Sequence, residues 1–137
     1  MDDIEAIRQL KARYFRTMDT KDWSGMRRVF TDDVVMDTSE AGGDIVRGAD
    51  EFVAYLRQVL DGAVTVHQGH MPEIELTSDT RATGIWALHD IVIWPGGMRL
   101  DGHGHYHEQY VKGPEGWRIS SSKLTRLHTD FTGSEQG

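Results

Sequence analysis

The chain contains no cysteine, which removes disulfides, thiol nucleophiles and thiolate metal sites and agrees with a reducing compartment. Proline is scarce, with three residues in 137, and there is no Pro/Ser-rich linker or long charge block. The chain therefore reads as one domain, large enough for a single core or one apolar pocket. No apolar run approaches the ~20 residues that span a bilayer, and Met1, Asp2, Asp3, Ile4 and Glu5 lack the basic and apolar parts of a signal peptide. A cytoplasmic location without membrane contact is expected. Basic charge is also in deficit, 15 Lys and Arg against 22 Asp and Glu, and it gathers nowhere beyond Lys11, Arg13 and Arg16. A chain of net charge -7 is not expected to partner nucleic acid.

What is present is a change of periodicity along the chain. Ile4, Ile7, Leu10, Tyr14 and Met18 recur every three or four residues and share one face of a helix opened by Asp2 or Asp3 and ending near Asp19. A second, short helix begins at Asp22, whose carboxylate can cap exposed N–H groups, and turns Trp23, Met26, Val29 and Phe30 inward. Residues 34–38 read as a strand, and residues 40–47 form a glycine-bearing loop. A third helix follows Gly48, with the apolar stripe Phe52, Val53, Leu56, Val59 and Leu60.

Everything after Gly62 is extended. Four candidate strands follow in a row, 64–70 leading into 73–76, then 81–94, 98–112 and 117–128, and turn signals fall at 78–80, 95–97 and 113–116. Helices first and an antiparallel meander afterwards define an α+β fold, in which a strongly curved sheet wraps three helices and encloses a pocket. A single domain over 1–131 and a frayed tail over 132–137 are expected. The outer face of one sheet needs cover, and Ile85, Ile91, Ile93 and Ile119 alternate with pocket-facing positions, so they are expected to bury against a second subunit.

Strand parity places Asp90 on the face of Trp86, Leu88, Val92 and Trp94. A carboxylate among tryptophans is costly to bury without a partner, which makes Asp90 a stronger site candidate than Asp79 or Asp101. The bland alternative is an edge position reaching water. His67 lies in a neighbouring segment, with His70 as its competitor, and read alone it is a hydrogen-bonded wall residue. Neutral imidazole takes a proton on one nitrogen while donating from the other, and a carboxylate behind His67 would fix the tautomer. Asp90 is a candidate for that carboxylate. Tyr14 and Asp19 are separated by five residues, ~500° of helical rotation, so they converge on one point only if the helix bends or ends between them. Their bland alternatives are a core aromatic and a helix-end turn residue.

The runs I-E-A-I-R-Q-L-K-A-R-Y-F-R-T-M-D-T-K-D-W, V-H-Q-G-H-M-P-E-I, A-T-G-I-W-A-L-H-D-I and G-W-R-I-S-S-S-K-L-T-R resemble the nuclear transport factor 2-like superfamily in its SnoaL-like branch. The resemblance covers roughly residues 3–128 and is strongest to bile acid 7α-dehydratase, more distantly to scytalone dehydratase. It implies an α+β cone, assembled as a homodimer or homotrimer, with a hydrophobic pocket and no metal or organic cofactor. It also implies water elimination activated by a carbonyl. In that reading His67 is the base, Asp90 orients it, Tyr14 polarises the carbonyl, and Asp19 and Arg126 place Tyr14, the leaving group or a substrate anion. Trp86, Leu88 and His70 are expected to contact substrate. The chain is also similar to hexachlorocyclohexane dehydrochlorinase, and that resemblance makes Asp19 the partner of His67. Both carboxylates therefore stay open.

The chemistry common to these relatives is proton abstraction coupled to loss of a leaving group. Four tryptophans and apolar strand faces favour a hydrophobic cyclic substrate such as a steroid or polyketide. A ketosteroid-type isomerase and a non-enzymatic small-molecule binding module are the alternatives. A separate signal is the alternating stripe His103, His105 and His107, whose imidazoles share one strand face with Asp101. It reads as a solvated or intersubunit stripe, and no metal is expected there.

Overall fold

The computed structural model describes residues 1–133. Helix α1 spans Asp3–Asp19, and Asp2 caps it by accepting the Glu5 N–H at 2.8 Å. Ile7, Leu10, Tyr14 and Met18 are buried along one face, together with Lys11, which shares that face by its spacing. Lys21 then adopts a left-handed conformation (φ 60°) that reverses the chain. Helix α2 spans Trp23–Arg27 and is capped by Asp22, which accepts the Gly25 N–H at 3.0 Å. Strand β1, Phe30–Asp37, begins four residues before the segment expected from the sequence, so Phe30 opens a strand rather than belonging to a helix.

Residues 40–47 are not wholly loop. A single 3₁₀ turn, Ser39–Ala41, leads to a short strand β2, Ile45–Arg47, which pairs antiparallel with β1. Helix α3 covers Ala49–Val59. The four long strands follow: β3 Val64–Leu76, β4 Arg81–Ile93, β5 Arg99–Gly113 and β6 Gly116–Thr132. Segment 64–70 does lead into 73–76 as one strand, with an irregularity between His70 and Glu73. β6 runs through Thr132, so the expected tail begins inside a strand, and residues 134–137 lie outside the described residues.

One six-stranded sheet has the order β2-β1-β6-β5-β4-β3. Its pairs are antiparallel except β1 with β6, which is parallel. The expected meander is therefore present from β3 to β6, and the parallel closure is additional. Register irregularities in β3, in β1 and twice between β5 and β6 bend the sheet. α1 packs into its concavity against β3 and β6, and α3 packs against β1. This is the α+β cone.

One parity expectation is overturned. Tyr110 pairs with Ile119 while Gln109 pairs with Ser121, so Ser120 is an inserted residue. An extra residue moves the following side chains to the opposite face. Trp117 and Ile119 before it, and Ser122, Leu124 and Arg126 after it, consequently all face inward. Ile119 lies fully buried in the core rather than on the outer face. Ile85, Ile91 and Ile93 do lie on the outer face, half-buried or exposed. No helix among the described residues is long and apolar enough to cross a membrane.

Candidate active site

A cavity of about 290 Å³ occupies the wide end of the cone. Met18, Phe52, Leu56, Leu60, Val92, Leu100 and Leu124 make its walls apolar, and Tyr14, His67, Asp90, Tyr106 and Arg126 converge on it. Val59, Trp94 and Phe131 add apolar surface from α3, the turn after β4 and the end of β6. A mostly apolar hollow with a few convergent polar groups is the usual form of a small-molecule site.

His67 is held from behind by Asp19. Asp19 Oδ1 lies 2.7 Å from His67 Nδ1, and Asp19 Oδ2 accepts the His67 backbone N–H at 2.8 Å. The hydroxyl of Thr65, also on β3, donates to Asp19 Oδ1 at 2.9 Å and itself accepts from Lys21 Nζ at 2.8 Å. A carboxylate facing Nδ1 favours the Nδ1–H tautomer, which leaves the Nε2 lone pair available on the other side of the ring. Burial lowers the Lys21 ammonium below the usual lysine range, an effect that the Asp19 charge opposes. Phe15 lies nearly parallel to the imidazole, at 14° and 6.3 Å between centroids. It fits because Gly69 carries no side chain: a Cβ there would come within 2.7 Å of the Phe15 ring.

Asp90 does not bond the imidazole. Its Oδ2 is 4.0 Å from His67 Nε2, beyond hydrogen-bond length. Arg126 instead grips it through both oxygens, at 2.6 and 3.0 Å, and both side chains are largely buried. The pair joins β4 to β6 across the intervening strand β5, directly over Gly102. A Cβ at Gly102 would lie 2.4 Å from Arg126 Nη1 and 2.7 Å from Asp90 Oδ1. Glycine at this position is what allows the bidentate pair to form.

The helix geometry resolves the question of convergence. α1 stays helical through Asp19, so Tyr14 and Asp19 point in different directions: Tyr14 into the cavity and Asp19 onto β3. They need not converge, because His67 bridges the gap. Tyr14 is packed edge-on against Phe15, Phe30 and Tyr106. Burial, and then the nearby Glu108 charge, raise the Tyr14 phenol above the ordinary tyrosine range. Burial raises Tyr106 as well, followed by the charge of Tyr14. Both phenols stay protonated at neutral pH and remain donors.

Beneath these phenols lies an ion pair that the hydrophobic pattern concealed. Lys11 Nζ bonds Glu108 Oε2 at 2.7 Å, and both side chains are fully buried. Ser122 donates to the same oxygen at 2.8 Å, Tyr110 donates to Oε1 at 2.7 Å, and Trp86 Nε1 donates to the Tyr110 hydroxyl at 2.9 Å. The Lys11 ammonium sits 3.9 Å from the Tyr14 ring centroid and 3.6 Å from that of Tyr106. Burial lowers its pKa, and Glu108 opposes the shift. Strand parity offered the missed signal, since Glu108 falls on the inward face between Tyr106 and Tyr110.

Three expected substrate contacts lie elsewhere. His70 is exposed on the outer face, because three residues beyond His67 the strand parity has reversed. Trp86 and Leu88 do point inward and are buried, Trp86 with its indole N–H engaged by the Tyr110 hydroxyl, but neither lines the cavity. The stripe His103, His105 and His107 lies on the outer face, away from the cavity.

Comparison with known proteins agrees with this architecture. A protein of Kribbella flavida, Kfla4162, is 26% identical and superposes with a TM-score of 0.85 over 93% of each chain. A type 2 hexachlorocyclohexane dehydrochlorinase, LinA, is 16% identical, with a TM-score of 0.84 over 95% of this chain and 88% of its own. A Novosphingobium aromaticivorans protein provisionally assigned as a scytalone dehydratase is 18% identical, with a TM-score of 0.86 over 96% and 88%. At those identities the last two likenesses are of fold. The family model described as the SnoaL-like domain matches residues 1–123, and this chain belongs to that family.

Proposed function

We propose that this protein is a cofactor-independent lyase, a dehydratase that eliminates water from a hydrophobic cyclic carbonyl compound of the steroid or polyketide class. The observation that carries this reading is the His67–Asp19 pair beside an apolar cavity into which two protonated phenols project. His67 Nε2 takes a proton from the carbon next to the carbonyl. The electron pair of the broken C–H bond forms an enolate, whose oxygen accepts from Tyr14, with Tyr106 lining the same cavity. Donors aimed at such a developing charge typically contribute ~2.7–4 kcal/mol.

The enolate then collapses, expelling the β-hydroxyl, which takes the proton back from the His67 imidazolium and leaves as water. Asp19 stabilises that imidazolium. Arg126, held by Asp90, supplies positive charge next to the departing oxygen. Lys11 lies over both phenol rings, where a desolvated cation is worth ~2 kcal/mol or more and strengthens the hydroxyls as donors.

Support from the family is general: SnoaL-like folds include dehydratases and dehydrochlorinases, both of which couple proton abstraction to leaving-group loss. A panel of cyclic β-hydroxy ketones and halogenated rings tests the reading, with product mass as the readout. Loss of 18 mass units, the mass of water, marks elimination, and an unchanged mass with a shifted double bond would favour the isomerase reading instead. On an active compound His67→Ala is expected to cut turnover by ~10²–10⁴-fold. Full turnover in that variant would end the proposal.

A further inference from the structure

Of the seven histidines, only His67 faces the cavity. The other six, His70, His89, His103, His105, His107 and His128, lie on the outer face of β3 to β6. They are not evenly spread. His89 on β4 and His103 on β5 are direct partners across the ladder, and their rings stack at 4.4 Å with 2° between planes. Asp101, one outward position before His103, places Oδ1 2.8 Å from His89 Nε2. One ligand atom from each of the three lies within 4.8 Å of the others.

We propose that His89, Asp101 and His103 form a binding site for a late first-row divalent metal ion, with Zn²⁺ as its representative. Two imidazoles and a carboxylate are the ligand set of such ions, and alkaline-earth ions prefer oxygen alone. Bonds of ~2.0–2.2 Å in tetrahedral geometry need donor atoms ~3.3–3.6 Å apart. The ligand atoms, within 4.8 Å of one another, must close to that spacing, and the side chains can turn to do so while the strands stay paired. All three stand on β4 and β5, each of which is paired on both sides, so the backbone beneath them is fixed before any ion arrives. The ion enters between His89 Nε2 and Asp101 Oδ1 in place of the proton they share.

The nearest competing cation is Arg99, whose Nη2 is 3.9 Å from the second Asp101 oxygen and leaves Oδ1 free for the ion. Two of the ligands are about one-third exposed, so the remaining coordination positions open to water. Because His89 precedes Asp90 in β4, the two side chains leave opposite faces of the sheet, and the metal site is separate from the cavity.

The test uses the untagged full chain, freed of metal by chelation and titrated with Zn²⁺ by calorimetry. One ion per chain is expected, with affinity lowered at least ~10-fold by His89→Gln, by His103→Gln or by Asp101→Asn. The doubly substituted His105→Gln/His107→Gln chain keeps its histidines at the site and should bind within ~3-fold of the parent, less than the loss any true ligand or its hydrogen-bond partner causes. Circular dichroism establishes that each variant is folded. Absence of saturable binding overturns the proposal, and so does an equal loss in the His105/His107 variant, which would mean diffuse attraction to a histidine-rich surface.

Discussion

Replacing Asp19 by Asn tests the central dyad most directly. The amide preserves shape and removes one charge. In the proposed mechanism proton abstraction makes His67 an imidazolium, and its ring lies against the Asp19 carboxylate, at 2.7 Å between Nδ1 and Oδ1, with side chains 8% and 21% exposed. At an effective dielectric near 20, charges ~4 Å apart between centres attract by ~4 kcal/mol. Loss of that term slows the step by ~10³-fold at 1.36 kcal/mol per decade.

The variant also carries a folding cost. Asp19 accepts from Thr65, from the His67 backbone and from the His67 ring, and an amide must turn its NH₂ toward at least one of these donors. A stability loss of ~1–3 kcal/mol is expected, so denaturant curves must accompany the kinetics. Asp90→Asn is the contrast. Its effect runs through Arg126, which loses a largely buried counter-charge, at a stability cost of up to ~3–5 kcal/mol. On a verified substrate Asp19→Asn should lose more activity per folded molecule than Asp90→Asn. The reverse order, or near-parent turnover in Asp19→Asn, would refute the dyad assigned here.

Gly102→Ala should open the Asp90–Arg126 pair, since the new methyl would overlap both partners, and thermal melting should fall by the equivalent of ~1–3 kcal/mol; an unchanged melting temperature would contradict the close approach. Lys11→Met alone leaves Glu108 buried without its cation and should cost ~3–5 kcal/mol in urea unfolding, whereas Lys11→Met with Glu108→Gln should recover part of that loss. Equal stability of the two variants would show that the pair is not coupled. Asp3 accepts from Trp117 Nε1 at 2.9 Å and Lys112 Nζ at 3.0 Å, and these bonds hold its carboxyl below the usual 3.8. A depressed folded-state pKa stabilises above the unfolded value and is lost as pH falls through the folded one. The Trp117 indole N–H resonance should therefore stay fixed down to about pH 4 and move below it, and Asp3→Asn should abolish that acid transition.

Local patterns specify most of the elements. The stripe from Ile7 to Met18 needs one buried face, the Asp2 and Asp22 caps mark helix starts, and alternation in β4 and β5 sets inside from outside, Asp90 included. These features depend on spacing within a few residues, and spacing is what a sequence displays. The choice between Asp19 and Asp90 as partner of His67 was of another kind. It depended on the point where α1 crosses β3, on the reach of Arg126 over Gly102, and on distances among residues dozens of positions apart. Likewise the parallel pairing of β1 with β6 joins distant strands without a turn signal, and the residue inserted at Ser120 reversed the parity that had placed Ile119 outside. Lys11 and Glu108 show the same division most plainly. A helix stripe or a strand pattern predicts that a charged position is buried, but only the packed cone brings the opposite charge to 2.7 Å and makes that burial tolerable.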